Sequence, residues 1–502
     1  MLRKLLSLLS DVAVYGISSL LSQIIGFLLL PVYTRFLSPA DQGVITQVLL
    51  VTAFFGPLAN LGMINAIFRR FNVDKEPERR TQVLSTGLFS VTLSSLALLA
   101  VTMLFAGMIS RLAIGDGSAA NLVRLSLLSA AASSIGMVPL AILRADRRTK
   151  TTAAINVSKL LISVCSTIYL VVVLEWNVWG VVVGTLVGEM TMLAMQLVIT
   201  FRSFRFVANI GTWKLLAAYG LPFVPHQIQG MTMGMLPQFV VGPMLGLEEA
   251  GLYATAVKFT MPVVFVVNAV QNAWIAYKFQ IHAEDEDPAR FFSSAVTYYV
   301  AGIVYLWVGV SLWGPEMVWL LTEQSYYPAA YLIPIAGLIP VSQGIYFMMG
   351  TGMELSDDTR PFPLVTFVGL VTAIASIFLF VPRMGATGAA VAAINSFIAL
   401  TIVIFFFSQR RFPIRYDRGV LLALLVIAVA AVCLGRQGLS LPLAQRLPFI
   451  VAISLIFPVL EFGVLLCSST ERHRMKTLWS RAVKRRIRPG KTIAETQTVV
   501  HP

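Results

Sequence analysis

The residues of this chain that could bind a ligand are polar side chains that interrupt long apolar stretches. Lys258 is one of them, and an anionic group such as a diphosphate could use its amine as a point charge. Asn268 and Asn272 are four residues apart and share a helix face, with Gln271 beside them. Polar groups in such surroundings are costly unless they line a polar cavity or bond to another helix. The amides favour a cavity, and three more stand in other apolar stretches: Gln23, Asn60 and Gln227.

Charged and titratable side chains suggest two further kinds of chemistry. Glu189 is an acid within an apolar stretch, where a carboxylate can exchange a proton. Lys159 could neutralise it, although counting about 1.5 Å per residue puts their depths about 10 Å apart. His226 follows Pro225 in a proline-rich segment that predicts a broken helix, and its imidazole is a second candidate for ion coupling. Arg70 and Lys278 stand at the ends of apolar stretches, where they could collect an anionic headgroup.

The amino-acid composition indicates the environment in which these residues lie. Of the 502 residues, 57% are hydrophobic and only 12% are charged, whereas a soluble protein carries about 25% charged residues. The apolar residues form long runs, and about 20 of them suffice to cross a bilayer as a helix. The sequence therefore predicts an all-α polytopic membrane protein. We expect fourteen transmembrane helices: 12–34, 44–67, 83–109, 122–143, 154–174, 181–201, 215–236, 252–276, 292–313, 329–350, 362–381, 388–407, 419–435 and 447–467.

The net charge of +14 is mainly a signal of topology. With the N-terminus inside, the inside segments hold 30 of the 38 lysines and arginines, and the outside loops hold five. This asymmetry predicts that both termini face the cytoplasm. It leaves no reason to expect nucleic acid as a partner. The basic tail 468–502 could instead contact anionic membrane lipids, or simply fix the orientation.

An internal repeat predicts how the helices are grouped. At a constant offset of 208 residues, Gly43 matches Gly251, Asn60 matches Asn268, and Gly180 matches Gly388. Arg70-Phe71 likewise matches Lys278-Phe279. Two six-helix lobes in parallel repeat are the expected result, with a ligand bound between them. The predicted domains are the N-terminal lobe, the C-terminal lobe, two extra helices and a basic cytoplasmic tail: 1–201, 202–407, 408–467 and 468–502.

Three motifs resemble those of one family. The segment Arg35-Phe36-Leu37-Ser38-Pro39-Ala40-Asp41-Gln42-Gly43 is similar to the loop after the first helix of bacterial polysaccharide-biosynthesis flippases. These belong to the multidrug/oligosaccharidyl-lipid/polysaccharide (MOP) exporter superfamily. Leu245-Gly246-Leu247-Glu248-Glu249-Ala250-Gly251-Leu252-Tyr253 is similar to the repeat of that loop, and Met384-Gly385-Ala386-Thr387-Gly388-Ala389-Ala390 to the loop before the twelfth helix. The resemblance covers roughly 1–410.

The resemblance implies a function. Such proteins move undecaprenyl-diphosphate-linked oligosaccharides from the inner to the outer leaflet by alternating access, for exopolysaccharide, capsule or O-antigen synthesis. It implies a location in the bacterial inner membrane, and partners that include the lipid-linked oligosaccharide, membrane lipids and a polysaccharide polymerase or glycosyltransferases. Among the relatives, a peptidoglycan-precursor flippase is disfavoured because the first two predicted helices lack internal arginine and lysine. A multidrug or cation exporter is disfavoured because helices 1, 2, 7 and 8 lack acidic residues.

An enzyme is the alternative from another class, in the form of a membrane glycan polymerase or ligase. The longest predicted outer loop offers Glu316 and Glu323, which are weak evidence because no cationic partner accompanies them. The sequence contains no phosphate-binding Walker loop and no cluster of metal ligands, and its three cysteines lie apart. We therefore expect no enzyme activity, no metal and no cofactor, with a proton or sodium gradient as the candidate energy source.

Overall fold

The protein is built from helices. The computed structural model describes residues 26–27, 29–73, 76–146, 148–204, 208–284, 287–356 and 361–467, and every regular element in these ranges is helical. The all-α prediction is confirmed. Helices of the first half are α1 (Leu30–Phe36), α2 (Pro39–Asn60), α3 (Met63–Val73), α4 (Pro77–Leu104), α5 (Ala106–Ile114), α6 (Ala120–Ala145), α7 (Thr149–Ile168, continued by a π turn Tyr169–Val173) and α8 (Asn177–Thr200).

The second half continues in the same way. Its helices are α9 (Ile210–Gly220), α10 (Phe223–Leu245), α11 (Leu247–Phe259), α12 (Met261–Glu284), α13 (Pro288–Leu321), α14 (Ala329–Met349), α15 (Thr351–Glu354), α16 (Phe362–Met384), α17 (Ala386–Arg411), α18 (Arg418–Gln437) and α19 (Leu443–Cys467). Short 3-10 turns lie at Phe201–Ser203, Gln324–Tyr326 and Gly438–Ser440.

The helices account for most of the predicted membrane spans. Among the described residues, eleven are long and apolar enough to cross a membrane, and a twelfth span results if the bent pair α11 and α12 is one crossing. The other two predicted spans are the first, which lies mostly outside the described residues, and 215–236, which the structure divides between α9 and α10. A count of fourteen is compatible with this arrangement.

A proline lies at each of the two points where a predicted span is broken or bent. The predicted break in the seventh span is present, because α9 ends at Gly220 and α10 begins after Pro222. The eighth span bends by 54° between Phe259 and Met261. Its second part has Pro262 at the start, where the missing N–H costs nothing. The sequence pattern did not predict this second bend.

Two helices beyond the predicted lobes pack against α13. Helix α18 contacts α13, and α19 packs beside both. Arg446 near the start of α19 forms an ion pair with Glu316, with Nη2 and Oε1 2.6 Å apart. The expectation that Glu316 has no cationic partner is therefore wrong, because the partner comes from a helix 130 residues further along the chain. The pair joins two helices instead of forming a carboxylate dyad.

A seam between the halves is closed at the end that the charge distribution places outside. Helices α2 and α11 cross there with backbone touching backbone. A Cβ on Gly43 would overlap the carbonyl oxygen of Leu247, and one on Gly251 would overlap that of Pro39. Only glycine permits this approach. The two glycines that the repeat pairs thus face each other across the closed outer seam.

The inner part of the seventh span lies on the first half of the chain. Helix α9 packs against α3 and α4 of the first half, whereas α10 packs mainly against α11, α16 and α17 of the second half and also contacts α2 and α5. The backbones of Gly62 and Gly220 meet where α9 ends, too close for a side chain on either residue. The predicted domain boundary at 201/202 stays a prediction. Helix α9 follows this boundary in sequence, but in space it packs against helices that precede the boundary.

We predict that Gly43→Ala and Gly251→Ala prevent closure of the outer seam. The added methyl group would meet a backbone carbonyl that cannot move independently of its helix. Spin labels would be placed at Met108 in α5 and Leu320 in α13, which are both exposed, in a variant without native cysteines. Double electron–electron resonance should then report longer distances between the two labels than in the protein with both glycines. Gly309→Ala is the control because nothing lies within 4 Å of its Cβ position. Unchanged distances in both seam variants would contradict this account.

Candidate functional site

A polar cavity of about 720 Å³ lies in the first half of the chain. Its walls come from α2, α6 and α8, and α10 of the second half closes one side with Gln227 and Met231. Ligand pockets commonly measure about 300–1,000 Å³. Nine of the twenty lining residues are polar, and all but Glu189 carry hydroxyls or amides, which bind neutral polar ligands: Thr52, Asn60, Ser126, Ser129, Ser133, Ser134, Thr185, Glu189 and Gln227.

Serines of α6 provide four of the nine polar lining residues, and the sequence-based prediction did not include them. Ser126, Ser129 and Ser133 are spaced by three and four residues, so that they share one face of the helix, with Ser134 beside them. Their small side chains leave space open while offering hydroxyl groups. The helical period of serine within an apolar span was the signal that could have found them.

Asn60 belongs to the cavity wall and keeps one acceptor unused. It is 6% exposed, and its Nδ2 donates to the carbonyl oxygen of Gly56 at 2.9 Å and contacts the sulfur of Met137 at 3.4 Å. The Oδ1 atom is buried with no hydrogen-bond partner. A buried acceptor without a partner costs about 1–3 kcal/mol.

Glu189 is held by an ion pair at the cavity wall. Lys159 Nζ lies 2.5 Å from Oε1, while Oε2 is buried without a hydrogen-bond partner. The expected depth difference of about 10 Å is wrong, because α7 and α8 form an antiparallel hairpin whose turn lies about midway between the two residues. Gly180, Gly184 and Gly188 lie on one face of α8 and allow close packing against α7, and Gly188 lies against the carbonyl group of Lys159. The pair leaves the cavity without net charge.

Lys258 lies elsewhere, at the bend between α11 and α12. It occupies the last turn of α11, where the unpaired carbonyl groups of a helix end favour a cation. Its Nζ is 5.9 Å from the ring centre of Tyr33 in α1. Among the described residues no carboxylate forms an ion pair with it. An anionic ligand group could therefore bind it without displacing a protein partner.

The structure separates the other predicted residues. Asn268 and Asn272 are exposed on α12 and Gln271 is half-buried, and none of the three lines the polar cavity. Arg70 is half-buried in the last turn of α3. Gln23 and the side chain of His226 lie outside the described residues. Of the predicted residues whose side chains the structure describes, Asn60, Gln227 and Glu189 come together in the cavity.

Lys278 is not free at the inner rim. It is 3% exposed, forms an ion pair with Glu354 and lies 5.9 Å from the ring centre of Phe347. A headgroup would have to replace Glu354 as its partner. No group of three or more potential metal ligands occurs among the described residues.

These features define a multi-pass helical membrane protein whose two halves meet at a closed outer seam, with the polar cavity in the first half. The chain belongs to the family described as polysaccharide biosynthesis protein, whose model matches residues 32–331. It is 25% identical over 345 residues to the succinoglycan biosynthesis transport protein ExoT of Rhizobium meliloti (strain 1021), an alignment that covers 68% of this chain. The chain spans 65% of the length of that curated relative.

Solved structures show the same fold. The lipid II flippase MurJ in an inward closed conformation matches with a TM-score of 0.72 and 12% identity, over 90% of this chain and 99% of that one. An inward-facing multidrug resistance MATE family transporter of the MOP superfamily matches with a TM-score of 0.64 and 17% identity, over 78% of this chain and 94% of that one. The predicted family is confirmed, and its relatives are named as transporters and flippases, not as enzymes.

We predict that Lys159→Met destabilises the protein by about 1–3 kcal/mol, since it leaves a buried carboxylate unpaired. Lys159→Met combined with Glu189→Met should recover most of this loss. Denaturant titration in detergent micelles would measure the free energy of unfolding. The control is Arg79→Met, which breaks the exposed pair with Glu76 and should cost about 0–1 kcal/mol. Equal losses in Lys159→Met and Arg79→Met would contradict a structural role for the buried pair.

Proposed function

We propose that this chain moves undecaprenyl-diphosphate-linked oligosaccharide repeat units across the bacterial inner membrane by alternating access, with both termini in the cytoplasm. The repeat units would serve exopolysaccharide, capsule or O-antigen synthesis. The observation that carries the proposal is the cavity of about 720 Å³, whose polar lining consists mainly of hydroxyl and amide groups and whose one carboxylate is paired with Lys159. Sugars are rich in hydroxyl groups, and Ser129, Ser133, Asn60 and Gln227 can donate to them and accept from them.

Charge favours a glycan over a cationic drug as the cargo. A cation would need an unpaired carboxylate, and the acid of this cavity, Glu189, already pairs with Lys159 at 2.5 Å. Lys258 provides the opposite sign at the bend of the eighth span. We assign the diphosphate to Lys258 and the sugars to the cavity, and the closed outer seam supports a state that receives cargo from inside.

The remaining parts of the proposal concern partners and energy. Arg70 would attract the diphosphate headgroup from the inner leaflet, and the lipid tail would stay among membrane lipids. Glu189 and His226 are our candidates for coupling to a proton or sodium gradient. We also propose that the basic tail, outside the described residues, contacts anionic lipid or recruits a polymerase or glycosyltransferase.

We predict that filling the cavity blocks export. Ser133→Leu should reduce transfer of lipid-linked glycan to the outer leaflet by roughly tenfold, a barrier increase of about 1.4 kcal/mol, whereas Ser133→Ala removes only the hydroxyl group and should reduce it less. The measurement is the leaflet distribution of lipid-linked glycan in a deletion strain carrying each variant. The strain without the gene should accumulate the glycan on the inner leaflet with normal synthesis.

Two other results of that measurement would overturn the proposal. Repeat units that reach the outer leaflet of the deletion strain but stay unpolymerised would indicate an enzyme. Normal export combined with new sensitivity to dyes or antibiotics would indicate a drug exporter.

We predict that Lys258→Ala reduces export more strongly than Lys258→Arg, because arginine keeps a positive charge for the diphosphate. Lys214→Ala is the matched control, since Lys214 is an exposed lysine of α9. The same leaflet assay measures all three variants. Near-wild-type export by both Lys258 variants would remove this residue from the site.

A further inference from the structure

A second cavity, of about 800 Å³, lies at the outer end of the first half. We call it the outer cleft. The loops after α5 and α7 and the starts of α2, α6 and α8 form most of it, and the start of α11 closes one side. The residues that define its chemistry are Asp41, Asp116, Glu175, Trp176, Trp179 and Leu247. None of them belongs to the polar cavity described above.

Two tryptophans give the outer cleft flat apolar surfaces. Trp176 is 47% exposed and Trp179 is 40% exposed, although a tryptophan is usually well buried. Each combines a large apolar ring with one N–H donor, which suits a ligand with both C–H and hydroxyl faces. A sugar ring has that pair of faces.

Three carboxylates dominate the polar groups of the outer cleft, and Arg111 beside Asp116 offsets part of their negative charge. Asp116 accepts hydrogen bonds from the backbone N–H and the hydroxyl of Ser118, and these bonds lower the pKa of its carboxyl group. Asp41 accepts from the backbone N–H of Ser38 at 3.0 Å and from its hydroxyl at 2.7 Å. Carboxylates accept hydrogen bonds from sugar hydroxyls and repel phosphate or uronate groups. Among the described residues they do not form a group that could hold a metal ion.

The outer cleft also crosses the closed outer seam. Asp41 and Val44 of its wall belong to α2, and Leu247 is the first residue of α11. The carbonyl group of Leu247 is the one that faces Gly43. Separation of the two helices would therefore remove Leu247 from the wall, so that the cleft is complete only while the outer seam is closed.

We propose that the outer cleft binds uncharged sugar residues of the cargo glycan once the outer seam has closed behind it. The cleft lies at the outer mouth of the path between the halves, where cargo would leave. The inference rests on the proposed function for the source of the glycan, and on the cleft's own chemistry for the class of ligand. Occupation of the cleft stabilises the outward-closed state, since binding favours the state that contains the site.

The test uses the purified full-length protein in lipid nanodiscs. Isothermal titration would compare an uncharged glucose tetrasaccharide, the same chain with a diphosphate at its reducing end, and a galacturonate tetrasaccharide. The first two should bind with similar affinity, because the diphosphate would project away from the cleft, and the uronate chain should bind at least about tenfold more weakly. Absence of binding by the uncharged chain, or loss of binding on adding the diphosphate, would overturn the proposal.

Variants locate the binding in the cleft. Trp176→Ala and Trp179→Ala should each weaken binding by about tenfold, and Trp176→Phe should restore most of it because a ring is kept. Trp319→Ala is the matched control, because Trp319 is 60% exposed near the outer end of α13 and does not line the cleft. An equal effect of Trp319→Ala would indicate that these residues serve only as interfacial anchors, and the proposal would fail.

The outer seam provides a second measurement. Gly43→Ala, which should keep the seam open, should weaken tetrasaccharide binding as strongly as Trp176→Ala does. Unchanged affinity in a variant with a demonstrably open seam would contradict the role of Leu247. The leaflet assay separates the two proposals: export without tetrasaccharide binding overturns only this inference, and binding without export overturns only the proposed function.

Discussion

The structure depends on a contact that has no side chain in it. At the outer seam, Gly43 lies against the carbonyl group of Leu247 and Gly251 against that of Pro39, so that two helices from different halves touch through their backbones. Packing of this kind is strong in lipid because small residues allow close van der Waals approach. It also has a narrow range, since the contact is lost after a small displacement. A seam of this type is either closed or open, which is what alternating access requires of a gate.

The outer cleft crosses this gate and the polar cavity lies deeper along α2, and the two cavities differ in net charge. The polar cavity contains one carboxylate, and Lys159 neutralises it. The outer cleft contains three carboxylates and two partly exposed tryptophans. Lys258, at the bend of the eighth span, stands apart from both. Hydroxyl groups are compatible with either cavity, whereas a diphosphate suits only the lysine. A glycolipid has both kinds of group, and the arrangement can therefore bind its two ends in different places.

Sequence patterns predicted the features that depend on local rules. Long apolar runs marked the helices, and the prolines around Pro222 marked the broken span, because both effects act within a few residues. Features that depend on which helices meet were missed. The pairing of Glu316 with Arg446 and that of Lys278 with Glu354 join segments that are distant in sequence. The serines of α6 were missed for a different reason, since a hydroxyl group on an apolar helix can as easily bond to its own backbone.

The hairpin of α7 and α8 bears on how the protein enters the membrane. Lysine or aspartate at the centre of a helix costs about 2.5–3.5 kcal/mol on insertion scales, so that Lys159 would burden α7 if it were inserted alone, and Glu189 would burden α8. The two residues are 30 positions apart and meet across a short turn. Helices that leave the insertion machinery together can cancel their charges before either side chain faces lipid. This ion pair therefore favours biogenesis of the fifth and sixth spans as one unit.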